Sequence, residues 1–513
     1  MSVANGTARV VRLADLLDGI AAIPAAAAAA VEIRDLTADS REVRPGALFL
    51  ALRGRGTHGL AYADEAVRRG AVAVLWEGAG SDRPAALAPS ELPRSVLAAP
   101  VEALARHAGA IADRFFGRPS AALAVHGITG TNGKTTSAYL LAQTFARLGS
   151  RAGYLGTLGW GGIGALQPQS HTTPDVVTVH RRLAAMRDAG VREVAVEVSS
   201  HALAQGRVDG VRFASAAFTN LSRDHLDYHG TMQAYGDAKS TLFETRGLQR
   251  IVINAGDEFG RELLRRHAGR APRTAVWVGA TDADAPSEQR LQARRVTAEP
   301  RGLRLDLDGS FGATTLRAPL IGRFNAENAV LVLGIAAAAG APLAEAAAAL
   351  AAAEPPPGRM QVVATGRADR PLAVIDYAHT PDALAKALGA LREHCRGALW
   401  CVFGCGGDRD AGKRALMGAA ADDLADHLIV TDDNPRSEDP AAITAAILTG
   451  IETHPARVIH DRAHAIAAAL AGAAAGDVVL IAGKGHEDYQ IYGDRRRAFS
   501  DLVEARRALG EAA

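Results

Sequence analysis

A short apolar run, Leu123-Ala124-Val125-His126-Gly127-Ile128, leads into Gly130-Thr131-Asn132-Gly133-Lys134-Thr135-Thr136. Apolar residues then recur at helical spacing at Ala138, Leu141, Phe145 and Leu148, and Gly149 stands where a helix C-cap glycine belongs. This strand, glycine loop and helix restrict the chain to an α/β fold. Loop glycines let backbone N–H groups face phosphate oxygens, and the helix N-terminus adds positive potential. Lys134 is then set to neutralise β- and γ-phosphates, and the Thr135 hydroxyl to meet Mg²⁺. The usual spacing asks for a glycine five positions before Gly133, where this chain has Ile128, so the loop is a compact variant. It implies a bound nucleotide without saying which.

Strand-like runs at Glu193–Val198, Phe213–Thr219 and Arg250–Asn254 alternate with helical patterns, which implies a mostly parallel sheet covered on both faces. Three prolines, Pro355-Pro356-Pro357, then stop an alanine-rich stretch (Ala346 to Ala353) and form a stiff connector. Beyond it lie four more apolar runs: Leu372–Asp376, Ala398–Phe403, His427–Thr431 and Val478–Ala482. Each is followed at once by polar or glycine-rich residues, and ligands in open α/β sheets bind beyond the carboxyl ends of strands. One shared crevice is the expectation.

At 513 residues the chain exceeds a single core, and about three domains are expected. We divide it as a smaller N-terminal α/β domain (1–105), a central phosphate-loop domain with a parallel sheet (106–353) and a C-terminal Rossmann-like α/β domain (354–513). A net charge of +1 gives no general pull toward nucleic acid or membrane. Three cysteines cannot frame a chain this long with disulfides, and Cys401 and Cys405 flank a strand-like run as buried thiols would. With no signal-like start and no long uncharged apolar run, a cytoplasmic protein without membrane insertion is expected, acting as a monomer on small molecules. The alanine run Ala25–Ala30 carries no functional reading.

Glu197 ends the apolar run Val194-Ala195-Val196-Glu197, where a bare charge is costly, so it must pair or bind a cation. His225 follows the next run. Delivered from strand ends beside the phosphate loop, the two are candidates to hold Mg²⁺ against a γ-phosphate.

The segments Gly130–Thr136, Glu197-Val198-Ser199-Ser200-His201, Asp224-His225-Leu226-Asp227-Tyr228-His229-Gly230 and Tyr235-Gly236-Asp237-Ala238-Lys239 resemble the Mur ligases of peptidoglycan synthesis. Gly322–Asn328, Gly358-Arg359-Met360 and Asp376–Pro381 continue the match in family order, so the likeness runs from about Leu36 to Glu504. It implies an ATP-dependent amide-bond ligase that passes through an acyl phosphate, with two Mg²⁺ ions and ATP as co-substrate. It also implies that Lys239 takes up CO₂ as a carbamate and, with Thr135, Glu197 and His225, holds metal, and that Lys134, Lys239, His225 and Glu197 are catalytic. Such a carbamate needs a neutral amine, whereas an unperturbed lysine has a pKa of about 10.4.

Further residues carry roles that the resemblance implies. Gly130, Thr131, Asn132, Gly133, Lys134, Thr135 and Thr136, with Asn254, Asp257, Asn325 and Arg359, would contact ATP. Ala38, Ser40, Arg55, Gly56 and Thr57 would meet the uridine diphosphate. His171, Thr172, Thr173, Ser199, Gln205 and Arg207 would meet the muramoyl dipeptide, His171 standing where some relatives carry asparagine. Asp433-Asn434-Pro435-Arg436, with Arg409, Gly483 and Glu487, looks like a meso-diaminopimelate pocket. This amino acid exceeds lysine by one carboxylate, which Arg436 can grip with a two-pronged pair. The product would be UDP-N-acetylmuramoyl-L-alanyl-D-glutamate extended at its γ-carboxylate. His379, at a strand end, has no settled role. A lysine-adding Mur-type ligase differs chiefly in the last pocket. A folylpolyglutamate-synthase-like ligase gives no reason for Asp433–Arg436, and a nucleotide switch leaves the later strand-end clusters unexplained.

Overall fold

The structure is a computed structural model and describes residues 10–21, 28, 30–54, 57–78, 92–267, 274–279, 289–363 and 369–511. Arg55, Gly56 and most of the run Ala25–Ala30 lie outside the described residues. Two compact units divide the chain: Met1–Ala138, Phe145–Ile253 and Asp257–Ala275 form one, and Tyr139–Thr144, Asn254–Gly256 and Val276–Ala513 the other.

The first unit holds a four-stranded parallel sheet with Asp35–Thr37, Ala47–Ala51, Ala71–Gly78 and Leu97–Glu102 adjacent in that order. Ala47–Ala51 is buried at every position, as a parallel strand covered on both faces must be. The helix Leu104–Phe115 turns Leu104, Ala108, Ile111, Ala112 and Phe115 onto the core that contains Leu48, Leu50 and Leu75.

The phosphate-loop strand, Ala124–Thr129, lies inside the unit's other sheet, between Glu193–Glu197 and Phe213–Phe218 and parallel to both. Arg250–Asn254 extends the sheet beyond Phe213–Phe218, and Ala152–Gly156 lies beyond Glu193–Glu197. Strand order therefore reverses at the phosphate loop, and the carboxyl ends of three neighbouring strands open into one crevice. The helix Lys134–Arg147 follows the loop, and Gly149 adopts φ +90° just past its end, as the spacing predicts.

In the second unit Gln289–Glu299, Gly302–Gly309 and Thr314–Ala318 form an antiparallel meander. The helix Leu343–Ala351 takes up much of the second alanine run and ends ahead of Pro355. Glu354 is pegged from both sides: Gln143 Nε2 donates to its carbonyl (2.8 Å), and its N–H donates to Gln143 Oε1 (3.0 Å).

The last sheet places Leu372–Asp376, Val478–Ala482, Leu399–Phe403 and His427–Val430 side by side and parallel. The four strand ends thus share one edge. Cys401 and Cys405 are buried, and burial pushes the Cys405 thiol up to about 11. Among the described residues no helix is long and apolar enough to cross a membrane.

Candidate active site

Gly130 is the tightest point of the loop. Its φ of +145° suits glycine, and a Cβ there would lie 1.8 Å from Thr219 Oγ1. Thr219 Oγ1 donates to Asn132 O (2.6 Å), while Asn220 accepts from Thr131 N at its carbonyl (2.8 Å) and from Asn132 N at Oδ1 (3.0 Å). The neighbouring strand end therefore fixes the loop's path. Thr131 Oγ1 accepts from Ser222 N (3.0 Å) and meets Tyr235 Oη (3.1 Å), and Gly133 adopts φ +83°. Lys134 folds back on its own loop, donating to Gly130 O (3.0 Å) and Thr131 O (2.8 Å). Thr136 is buried behind it.

Glu197 is fully buried at the end of its strand. It accepts from Thr135 Oγ1 (2.8 Å), Thr157 N (2.8 Å), Thr157 Oγ1 (3.3 Å) and the Tyr154 hydroxyl. Each of these donors is neutral, so the hydrogen bonds orient the carboxylate without cancelling its charge. The Thr135 hydroxyl expected at Mg²⁺ is thus held against the carboxylate expected at Mg²⁺.

His225 takes the left-handed conformation (φ +52°), is exposed, and sits 3.5 Å from Asp224 Oδ2. Its ring lies 4.8 Å from that of His201 and 6.1 Å from that of Tyr235. No hydrogen bond joins it to Glu197. The two candidate ligands approach the loop from different strand ends.

Lys239 is 1% exposed, donates to Gly130 O (2.8 Å) and lies 4.3 Å from the Tyr235 ring centroid. Burial, and then the Lys134 ammonium, pull its pKa down to about 6. The neutral amine that a carbamate requires is therefore its ordinary state near neutrality.

Thr173 Oγ1 donates to Glu197 O (2.7 Å) and accepts from Ser199 N (3.2 Å). Arg207 donates to Thr173 O (2.8 Å) and to Gln205 Oε1 (3.0 Å), and Gln205 reaches Tyr228 Oη (3.1 Å). Thr172 joins through Thr157 (3.0 Å). Five of the six dipeptide candidates thus gather around the end of the Glu197 strand, while exposed His171 bonds to Ser170 (2.9 Å). Ser40 is buried, donating to Glu65 (2.8 Å); Ala38 precedes it, and Thr57 is exposed. Asp257 accepts from Leu221 N (3.0 Å) and Gly260 N (3.0 Å).

In the second unit Asn254 donates to Glu327 (2.9 Å), and Asn325 is buried, donating to Ile321 O (2.8 Å). The Arg359 guanidinium lies 5.1 Å from the Tyr377 ring centroid, and Tyr377 stacks edge-on with His379. The segments after the four strands meet: the Tyr377 and His486 rings lie 5.6 Å apart, and Lys413 Nζ donates to His379 O (2.7 Å). Asp433, Asn434 and Pro435 are buried, and Asn434 Nδ2 donates to Glu487 (3.0 Å). Arg436 (φ +54°) donates to Gly407 O (2.7 Å), and Gly483 adopts φ +117°. Arg409 is exposed.

Sequence reasoning missed the groups that organise both sites. Tyr154 hides in an apolar strand, and Thr157 follows that strand. Lys484 is wholly buried and donates to Asp433 (3.3 Å), Asn434 (3.3 Å) and Glu487 (3.1 Å). Its position inside the polar cluster Gly483–Glu487 was the available signal.

Three family models cover most of this chain: Mur ligase family, catalytic domain, at residues 32–115; Mur ligase middle domain at 128–336; and Mur ligase, glutamate ligase domain, at 358–485.

The chain belongs to the Mur ligase family.

This Mur ligase is 50% identical over 486 residues to the UDP-N-acetylmuramoyl-L-alanyl-D-glutamate–2,6-diaminopimelate ligase of Ectopseudomonas mendocina, covering 94% of this chain and 96% of that one. Its identity to the enzyme of the same name from Pseudomonas aeruginosa is 48% over 478 residues, covering 93% and 95%. A solved structure of an enzyme of that name superposes with a TM-score of 0.74 at 34% identity, covering 98% of this Mur ligase and 99% of that chain. The mixed α/β architecture with parallel sheets is therefore that of the family's solved members.

Proposed function

We propose that this Mur ligase joins meso-diaminopimelate to the γ-carboxylate of the D-glutamyl residue in UDP-N-acetylmuramoyl-L-alanyl-D-glutamate, at the expense of ATP. The observation that carries the reading is 50% identity across 94% of the chain to an enzyme named for that reaction. The shared crevice of Asp433–Arg436 and Gly483–Glu487 supports it. In this reading residues 1–105 bind the uridine diphosphate, 106–353 bind ATP, and 354–513 bind the amino acid. The monomeric enzyme works in the cytoplasm on small molecules.

Lys134 and the loop N–H groups hold the phosphates of ATP, and the cluster of Thr172, Thr173, Ser199, Gln205 and Arg207 presents the acceptor carboxylate. The carboxylate oxygen attacks the γ-phosphorus and ADP leaves, giving an acyl phosphate. The amine of meso-diaminopimelate then attacks the acyl carbon; phosphate departs, and the amine loses its proton. Glu487 suits the ammonium end of the amino acid, and Arg436 and Arg409 its distal carboxylate.

The donors present fit Mg²⁺. Glu197 is a buried carboxylate contacted by neutral groups alone, and Lys239 is a buried amine set to be neutral. Thr135, Glu197, His225 and Lys239 (as its carbamate) would hold two ions, whose charge would relieve the repulsion between acceptor carboxylate and γ-phosphate. Asn254, Asp257, Asn325 and Arg359 would contact ATP in this reading.

The deciding experiment measures phosphate release with ATP and UDP-muramoyl dipeptide, supplying meso-diaminopimelate, lysine or no amino acid. Release that depends on meso-diaminopimelate supports the reading. Equal release with lysine marks a lysine-adding enzyme, and release indifferent to the amino acid removes ligation altogether.

A further inference from the structure

A cavity of about 660 Å³ opens in the second unit, between the antiparallel meander and the amino ends of Leu372–Asp376 and Val478–Ala482. The amino-acid crevice lies beyond the carboxyl ends of those same strands, so the cavity is no part of it. Arginines from four separate segments line it: Arg301, Arg317, Arg370 and Arg396. In a chain whose net charge is +1, such convergence does not follow from a general positive field.

Two carboxylates, Glu299 and Asp477, stand against these four arginines, so the lining keeps an excess of positive charge. Asp477 accepts from Ala398 N (2.8 Å), Ala474 N (2.9 Å) and Trp400 Nε1 (3.3 Å), neutral donors that fix its orientation and leave its charge in place. Glu299 lies 3.6 Å from Arg317, and both are solvent-exposed, where such a pair is weak. Among the described residues no hydrogen bond or ion pair engages the guanidinium of Arg370 or Arg396. Arg370 Nε is moreover enclosed without a partner, an arrangement that costs free energy until an acceptor arrives.

We propose that this cavity is a second anion site, taking a small phosphate-bearing molecule with at least two negative charges. A guanidinium fork matches two phosphate oxygens, and a phosphate has enough oxygens to be shared by forks arriving from different elements. A single carboxylate would satisfy one fork and leave the others unpaired.

Diphosphate is the probe, titrated calorimetrically into the full chain with ADP and UDP-muramoyl dipeptide at saturation, so that the phosphate loop and the proposed uridine diphosphate site are already filled. One further binding event is expected, weakened about tenfold or more in Arg370→Ala/Arg396→Ala and less in Arg370→Lys/Arg396→Lys, which keeps the charges and loses the forks. Unchanged ADP affinity shows that a variant is folded; should the alanine pair fail that check, the lysine pair decides. No binding beyond those two ligands, or equal affinity in the folded variants, overturns the proposal. Citrate binding as tightly as diphosphate overturns the phosphate assignment.

Discussion

Lys134 and Lys239 donate to one oxygen, the carbonyl of Gly130, at 3.0 and 2.8 Å. Lys239 is buried, and the Lys134 ammonium adds repulsion against a second positive charge beside it. The proton therefore leaves Lys239, whose pKa falls to about 6. Without its proton, Lys239 is a nucleophilic amine.

This depression has a consequence for stability. Unfolded, Lys239 holds its proton up to about pH 10.4; folded, it releases it near 6. Between these values the unfolded chain binds more protons, so raising pH favours the folded state. In CO₂-free buffer the melting temperature of the wild type, relative to Lys239→Met, is expected to rise from pH 6 to pH 9. A flat difference would mean an ordinary amine.

Replacing Gly130 by Ala should cripple nucleotide binding, because the new Cβ would meet Thr219 Oγ1 at 1.8 Å with φ at +145°. We expect ADP affinity to fall about tenfold or more, a loss of over ~1.4 kcal/mol. Adding Thr219→Ala should restore part of it, since Asn220 N would still lie 3.0 Å away. Titration calorimetry with ADP measures both.

Glu197→Gln should lower the rate of phosphate release by about 100-fold or more, a magnitude expected of a lost charge-stabilising group. The amide would also turn an N–H toward Thr135, Thr157 or Tyr154, groups that now donate to the carboxylate. Wild-type rates in the variant would exclude Glu197 from the chemistry.

Arg436→Ala should raise KM for meso-diaminopimelate by about 10-fold or more and leave KM for ATP nearly unchanged. Lysine should restore little, because the two-pronged grip is lost. Parallel increases in both constants would place Arg436 outside the amino-acid pocket.

Arg462 and Asp501 are both fully buried and joined by two bonds of 2.7 Å. Removing the carboxylate in Asp501→Ala strands the guanidinium, and a loss of about 3 kcal/mol or more is expected in denaturant unfolding. A loss below ~1 kcal/mol would mean that water reaches the guanidinium once the carboxylate is gone.

The strands of the last sheet were legible because each is a contiguous apolar run with a polar end; Leu372–Asp376 and Val478–Ala482 fall where the sequence predicts. Their order was not, because pairing between residues about a hundred positions apart leaves no local mark. In the site, the loop and Glu197 stood out as polar residues at the ends of apolar runs. Tyr154 escaped notice because its hydroxyl meets Glu197 only across neighbouring strands. Lys484 escaped because lysines ordinarily lie in water, and this one is enclosed by carboxylates from two loops.

Val478–Ala482 comes last among the parallel strands of its sheet, yet it is the partner of both Leu372–Asp376 and Leu399–Phe403. During synthesis those two strands therefore emerge with open edges and wait for their common neighbour. A nascent chain that stops short of residue 478 lacks the strand that joins those two, and such a fragment carries two unpaired edges prone to association. The last sheet closes only once residues 478–482 have been made.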